Sequence, residues 1–318
     1  MTGQSHTAQG KQDPMRISGT GFSEELWGVP VQMRVVVRPK HWLAHAAHQA
    51  TLAETVWKVT TMPIDTPLYL DTAQKRRLAY HATRAGAGGP TIVFLGGFHS
   101  DMQGSKALHL EAWARAQGYA YLRFDYSGHG QSSGAFVDGA IGDWAEDAEA
   151  AISGLTEGPL ILVGSSMGGW ISLLMTQRLV GRVVGLVTIA AGPDFTEDLM
   201  WASFSAAQRR TLEQDGQLLV PTDYDDPYVI TARLIEDGRN HLVLRTPLAL
   251  PFPVRFLQGT EDADVDMSVS LRLLAHASGP DIQLRLLKGE DHRFSSPKAL
   301  AMIEDAIEDM IRCRATGG

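Results

Sequence analysis

The sequence predicts an α/β fold in which a mostly parallel central sheet is covered by helices on both faces. Three observations predict it. From Met62 onward, short apolar runs alternate with amphipathic stretches, the pattern of strands joined by helical crossovers. One of those runs, Ile161-Leu162-Val163, leads directly into Gly164-Ser165-Ser166-Met167-Gly168. This is a G-x-S-x-G placed between an apolar strand and a helical pattern, the context a serine nucleophile needs. Finally, 318 residues with 44% hydrophobic and 20% charged side chains suffice for one large domain, or one domain with an insertion.

The elements follow in chain order. Residues 68–70 and 77–80 make an opening β-hairpin around a turn near Thr72-Ala73, and residues 91–95 a short apolar strand. Residues 105–117 read as a helix with Leu108, Ala112 and Trp113 among its apolar positions, closed by Gly118. A strand over 119–124 and a helix over 141–155 come next, then the nucleophile strand 160–163 and its helix 168–179. Residues 183–191, 254–258 and 282–287 are further strands, and 297–312 is a last helix with Pro297 in its first turn. Between 193 and 252 the alternation breaks. A helix is expected over 195–213, then the acidic stretch 222–227, then a strand pair or helix over 228–244. An insertion rich in aromatic residues and Met between two sheet strands reads as a cap or lid over the site; the competing reading is a plain structural excursion. The core is then residues 62–192 and 253–318.

Residues 1–61 differ from the rest, with no sustained period of 2 or 3.6 apart from one possible amphipathic helix over 41–59. They read as a poorly ordered extension. A targeting segment is disfavoured by Asp13, Glu24, Glu25 and Glu54, and Met62 as the true start is a third reading.

Composition excludes several classes. A net charge of −8 argues against nucleic-acid binding, which needs a basic face. No apolar run is long enough to span a bilayer. The single cysteine, Cys313, permits no disulfide within the chain, so a reducing, cytoplasmic location is expected. No His or Cys cluster has metal-ligand spacing, and neither a G-x-G-x-x-G nor a P-loop is present. No metal and no cofactor are therefore expected.

A serine hydroxyl needs a base to become a nucleophile. In this type of fold the order is serine, acid, histidine, so both partners must follow Ser166 at strand ends. Arg255-Phe256-Leu257-Gln258-Gly259-Thr260-Glu261-Asp262 is a strand, a glycine turn and an acid. Leu286-Leu287-Lys288-Gly289-Glu290-Asp291-His292 is a strand and a short loop ending in histidine. Asp262 would orient one nitrogen of His292 while the other faces Ser166. Asp264 is the rival acid, read as a surface charge; Glu261 and Asp291 are weaker. His241 and His276 lie in the insertion and in a helix, and His99 and His129 precede the serine. An oxyanion hole needs two backbone N–H donors: Met167, next to the nucleophile, and Phe98 in the glycine turn Gly96-Gly97 after the first parallel strand. The turn after Phe124, with Asp125 and Ser132, reads as structural.

These residues carry a resemblance. The chain from about Met62 is similar to the α/β-hydrolases, and within them to the group of mitochondrial acyl-protein thioesterases also described as mycophenolic acid acyl-glucuronide esterases. The matching pieces are Ser100-Asp101-Met102 with Gly104 and Lys106-Ala107-Leu108, and Arg123-Phe124-Asp125-Tyr126-Ser127-Gly128. Gly158-Pro159, Leu162 to Ser166, Gly168-Gly169-Trp170 and Asp291-His292-Arg293 complete them. The resemblance implies Ser166 as nucleophile, Asp262 as acid, His292 as base, and carboxylic esters or long-chain thioesters as substrates. Gly96 and Phe98 stand where that group often has Pro and Tyr, which removes a hydroxyl but not the main-chain donor. The expected function is thus a serine hydrolase acting on a small-molecule or acylated-protein ester or thioester through an acyl-serine intermediate. An acyltransferase with the same triad, or a non-catalytic binder on the scaffold, are the alternatives.

Overall fold

Residues 66–84, 89–221 and 227–316 are described by the structure, a computed structural model. The expectations for residues 1–61 and for the acidic stretch 222–226 lie outside them. The described chain runs β1 (Leu68–Asp71), β2 (Arg77–Thr83), β3 (Thr91–Leu95), α1 (Ser105–Gln117), β4 (Tyr121–Phe124), α2 (Ile141–Leu155), β5 (Leu160–Ser165), α3 (Met167–Arg178) and β6 (Val183–Ile189). It continues with a π-helical turn over Thr196–Trp201, α4 (Ala206–Asp215), β7 (Gln217–Val220), β8 (Tyr228–Thr231), α5 (Ala232–Arg239), β9 (Leu248–Ala249) and β10 (Val254–Gly259). Last come α6 (Met267–His276), β11 (Ala277–Ser278), β12 (Ile282–Leu287) and α7 (Pro297–Thr316).

Eight strands form one sheet in the order β1-β2-β4-β3-β5-β6-β10-β12. Only the β1–β2 and β2–β4 pairings are antiparallel; from β4 to β12 neighbours run parallel. The alternation of side chains sorts the core into two layers. In β3, Val93 and Leu95 face one layer while Ile92 and Phe94 face the other; in β5, Leu160 and Leu162 split in the same way from Ile161 and Val163. The first layer packs Trp144, Ala148 and Ile152 of α2 and Trp170 of α3. The second packs Ala107, Leu110 and Ala114 of α1 and Ile303, Ile307 and Met310 of α7. Both faces are dry, which is why these strands read as continuous apolar runs rather than alternating ones.

Several expectations shift. The buried stripe of α1 is Ala107, Leu110, Glu111 and Ala114, whereas Leu108 and Ala112 are exposed. The charge of Glu111 hid this stripe in the sequence. The single helix expected over 195–213 is two segments. Ser205 starts the second one: its hydroxyl accepts the Gln208 N–H at 3.2 Å and the Gln208 side chain accepts the Ser205 N–H at 2.9 Å, a reciprocal cap that begins a new helix. The expected strand pair or helix over 228–244 is both in part: β8 pairs antiparallel with β7, and α5 follows.

The chain leaves β3 toward β4 on one side and leaves β5 toward β6 on the other. The crevice at the carboxyl ends of β3 and β5 is where such a sheet opens a site.

Candidate active site

Ser166 sits in that crevice, between the last residue of β5 and the first of α3, at φ 54° and ψ −118°. This backbone is strained for any residue with a Cβ. It persists because both main-chain groups are tied: the Ser166 N–H donates to the Ile189 carbonyl at 2.9 Å, and its carbonyl accepts from Gly169 at 2.9 Å and Gly192 at 3.2 Å. The turn is possible because its flanks lack side chains. A Cβ on Gly164 would stand 2.2 Å from the Gly168 carbonyl oxygen.

Nε2 of His292, in the loop after β12, lies 3.1 Å from Ser166 Oγ. Nδ1 of the same ring lies 3.0 and 2.9 Å from the two oxygens of Asp262, in the loop after β10. Gly259 lets the two loops meet: a Cβ there would stand 2.2 Å from the Glu290 carbonyl oxygen. Asp262 also accepts from Gln258 Nε2 at 2.8 Å and from the N–H groups of Asp264 at 3.0 Å and Val265 at 2.8 Å. Burial acts to raise its pKa, but the bond from His292, the Val265 N–H and the histidine's charge outweigh it and hold the carboxyl below its ordinary value. Gln258 is itself fully buried and anchored by the Ser270 hydroxyl at 2.8 Å. Sequence reasoning passed over it as a strand residue; a wholly polar amide in an apolar run was the available signal.

Met167 opens α3 directly after Ser166, so its amide is among those a helix start leaves without an intrahelical acceptor. Phe98 lies in the turn after β3 and lines the same cavity as Ser166 and His292. The turn passes close to the serine, since a Cβ on Gly97 would meet Ser166 Cβ at 3.3 Å. What holds this loop is the Arg123–Ser132 region. Arg123 Nη1 donates to the Met102 carbonyl at 2.9 Å, and Asp125 accepts the Met102 N–H at 2.6 Å and the Gln131 N–H at 2.8 Å. The expectation that Asp125 serves only its own turn is thereby widened; it reaches across to the loop that carries Phe98. Arg123, 2% exposed, is neutralised by Glu111 at 2.8 Å.

The rivals fall elsewhere. Asp264 is exposed at the cavity rim. His241 stands 3.6 Å from Asp237, and His276 Nε2 lies 2.8 Å from the Thr246 carbonyl. His99 stacks on Phe136 and Tyr228, and His129 is buried against Trp144. Asp262, Asp264 and His292 could together approach a cation. However, the Asp262 lone pairs are already taken by four donors and His292 Nδ1 is one of them, so this donor set does not call for a metal.

The cavity above Ser166 measures about 710 Å³, within the size range of small-molecule sites. Phe195, Leu199, Met200, Val220 and Tyr228, all from between β6 and β10, give it an apolar wall. The large apolar residues of the insertion separate here. Leu199 and Met200 line the cavity, whereas Phe204 is in the core and Trp201 lies under the guanidinium groups of Arg209 and Arg239. A larger groove of about 1140 Å³ lies at the opposite, amino ends of β6 and β10, around Val183, Pro247 and Phe252, and among the described residues no histidine or carboxylate side chain lines it.

Residues 92–306 match the model of the alpha/beta hydrolase family. The chain belongs to that family, and its class is that of carboxylic-ester and thioester hydrolases. Among curated proteins it is 32% identical over 224 residues to the palmitoyl-protein thioesterase ABHD10, mitochondrial, of Rattus norvegicus, covering 70% of this chain and 75% of that protein. It is 30% identical to the Bos taurus protein of the same name, over 87% of this chain and 86% of the relative. Among solved structures it resembles a protein from Agrobacterium vitis S4 (38% identity, TM-score 0.73, 77% of this chain and 97% of that one). It also resembles alpha/beta hydrolase domain-containing protein 10 from mouse (29% identity, TM-score 0.72, 78% and 98%).

Proposed function

We propose that this chain is a serine hydrolase that cleaves long-chain acyl esters and thioesters through an acyl-serine intermediate. The observation that carries the proposal is the continuous line from Ser166 Oγ through His292 to Asp262, 3.1 Å and then 2.9 Å. As Ser166 attacks the acyl carbonyl carbon, His292 Nε2 takes the hydroxyl proton. Asp262 steadies the imidazolium, and the amides of Phe98 and Met167 receive the oxyanion. His292 then gives its proton to the departing alcohol or thiol. Water repeats the cycle: its proton goes to His292, its oxygen to the acyl carbon, and Ser166 leaves with the proton returned.

Residues 193–252 act as a cap on a core of residues 62–192 and 253–318, and the acyl chain lies against Phe195, Leu199 and Met200. This apolar wall, together with the names of the mammalian relatives, supports a fatty acyl group on a protein or small-molecule carrier, acyl glucuronides included. No helix of the described residues is long and apolar enough to cross a membrane. The compartment is the reducing one of the sequence reading, with organelle import as the alternative that the relatives' mitochondrial names raise.

The test is hydrolysis of nitrophenyl esters, acyl-CoAs, S-acylated peptides and acyl glucuronides by the full chain and by Ser166→Ala, with fluorophosphonate labelling and mass spectrometry of the quenched enzyme. An acyl adduct on Ser166 supports the reading, and turnover that survives in Ser166→Ala overturns it. Acylation of an added alcohol in preference to water would assign acyl transfer instead.

A further inference from the structure

We propose that Lys106 is a positioning residue for this reaction, its ammonium holding the loop that carries His292 against the start of α1. The inference rests on the acyl-serine reading above.

Lys106 is the second residue of α1, a first turn with no acidic side chain. A cation there opposes the helix dipole, so the helix gains nothing from it. The side chain is half-buried and lines the Ser166 cavity and the cleft beside it. Its ammonium donates to the carbonyl of Arg293, the residue after His292. The same carbonyl accepts the Ser295 hydroxyl at 2.8 Å, and Ser105 donates to Ser295 at 3.1 Å. Adjacent residues of α1 thus grip the first and third positions after the histidine, on either side of Phe294. The loop needs the grip, because Phe294 is held at φ 47°, where a side chain is unfavourable. The loop leading into α1 also carries Phe98 and is clamped at Met102 by Arg123 and Asp125. Lys106 therefore joins the base to the element that supplies an oxyanion donor, and sets the spacing between them.

Burial pulls the Lys106 pKa down to about 8; Asp291 and Glu290 oppose this and Arg293 adds to it. His292, Asp264, Tyr228 and Asp101 are the other titratable groups sharing its two cavities, with Arg293 the other cation there. Loss of the ammonium charge weakens the charge-assisted bond to Arg293 and gives the reaction an alkaline limb.

The experiment measures kcat and KM for a neutral nitrophenyl acyl ester between pH 6 and 10, with the Ser166→Ala rate subtracted. Fluorophosphonate labelling rates and thermal midpoints accompany it, for wild type, Lys106→Met and Lys106→Arg. Wild-type kcat/KM should fall roughly threefold to tenfold above pH 8 as the charge-assisted bond is lost. Lys106→Met should lower kcat by about 10- to 100-fold at pH 7 with little change in KM, slow labelling in parallel, and show no alkaline limb. Lys106→Arg, charged throughout, should lack the limb and recover part of the rate. An alkaline limb that persists in Lys106→Met, or wild-type labelling rates in it, overturns the proposal. If Lys106→Met does not fold, persistence of the limb in Lys106→Arg does so. Failure of wild type to label, or activity in Ser166→Ala, overturns the acyl-serine reading, and the role of Lys106 with it. Labelling with an unaltered limb overturns Lys106 alone.

Discussion

Gly168 lies under Leu95 so closely that a Cβ on it would stand 2.1 Å from the Leu95 carbonyl oxygen. The contact joins the first turn of α3, which follows Ser166, to the last residue of β3, from which the Phe98 loop departs. The spacing between Ser166 and the loop that carries Phe98 is thus set by backbone against backbone, and backbone cannot yield as a side-chain tip can. Gly168→Ala should lower activity at least about 100-fold and destabilise the fold by roughly 1–3 kcal/mol through overpacking. Urea denaturation and nitrophenyl-ester turnover would check both; near-normal activity would refute the close approach.

Asp262→Asn keeps the shape of the acid but removes the charge that orients His292. Turnover should fall by a factor on the order of 10³ to 10⁴, with the fold retained because the Asn oxygen can still accept the Asp264 and Val265 N–H groups, at the cost of the bond from Gln258. Asp264→Asn, at the exposed rim, should change turnover by less than about threefold, as exposed substitutions usually do little. A reversal of these two results would make Asp264 the acid.

The buried pair Arg123–Glu111 predicts a stability change with a signature. Arg123→Met leaves Glu111 charged and without this partner in the interior, a loss of about 3–5 kcal/mol. Glu111→Leu combined with Arg123→Met should recover most of it. Activity should recover less, because Met102 keeps only its bond to Asp125. Denaturant titration of the single and double variants measures the coupling.

Acid sensitivity should come in part from His129. Burial among Tyr126, Phe136 and Trp144 lowers its pKa to about 4. An unfolded histidine titrates near ~6.5, so between these values the unfolded chain binds the extra proton and the folded one does not. Stability is fully present above ~6.5 and declines as pH falls toward 4, by roughly 3 kcal/mol in all. His129→Phe should flatten stability against pH across that window, since Trp144 still donates to the Ser127 carbonyl that His129 Nδ1 approaches. An unchanged slope would place the acid sensitivity elsewhere.

Chain-length preference should follow the cavity wall. Leu199→Trp and Met200→Trp fill space in the cavity and should shift preference in a nitrophenyl-ester series toward shorter acyl groups. Trp201→Ala, which removes the ring beneath Arg209 and Arg239, should lower the melting temperature without that shift.

Much of this was readable along the chain because the signals are local. The strand–turn–helix around Ser166 announces itself within ten residues, and the boundaries of α1, α2 and β12 match their expected ranges, since apolar period and terminal glycines act over single turns. The buried stripe of α1 was misjudged for a non-local reason. Glu111 is covered because Arg123, twelve residues on, and Thr83, in β2, meet it at the second core layer. The break within 195–213 was written in Ser205 and Gln208, a cap that competes with an otherwise continuous helical pattern.

Chain order and residue type were enough to propose Ser166, Asp262 and His292, because each lies just past a strand whose apolar run is unmistakable. The fold supplies the physical reason to prefer Asp262 to Asp264: of two carboxylates two residues apart, Asp262 is the one that the Gln258 amide and the His292 ring reach. It alone assigned Lys106 to the histidine loop, Asp125 to Met102, and Leu199 rather than Trp201 to the cavity. These are encounters between segments far apart in the chain. They depend on sheet order and on close backbone contact at a few glycines, and no local periodicity records either.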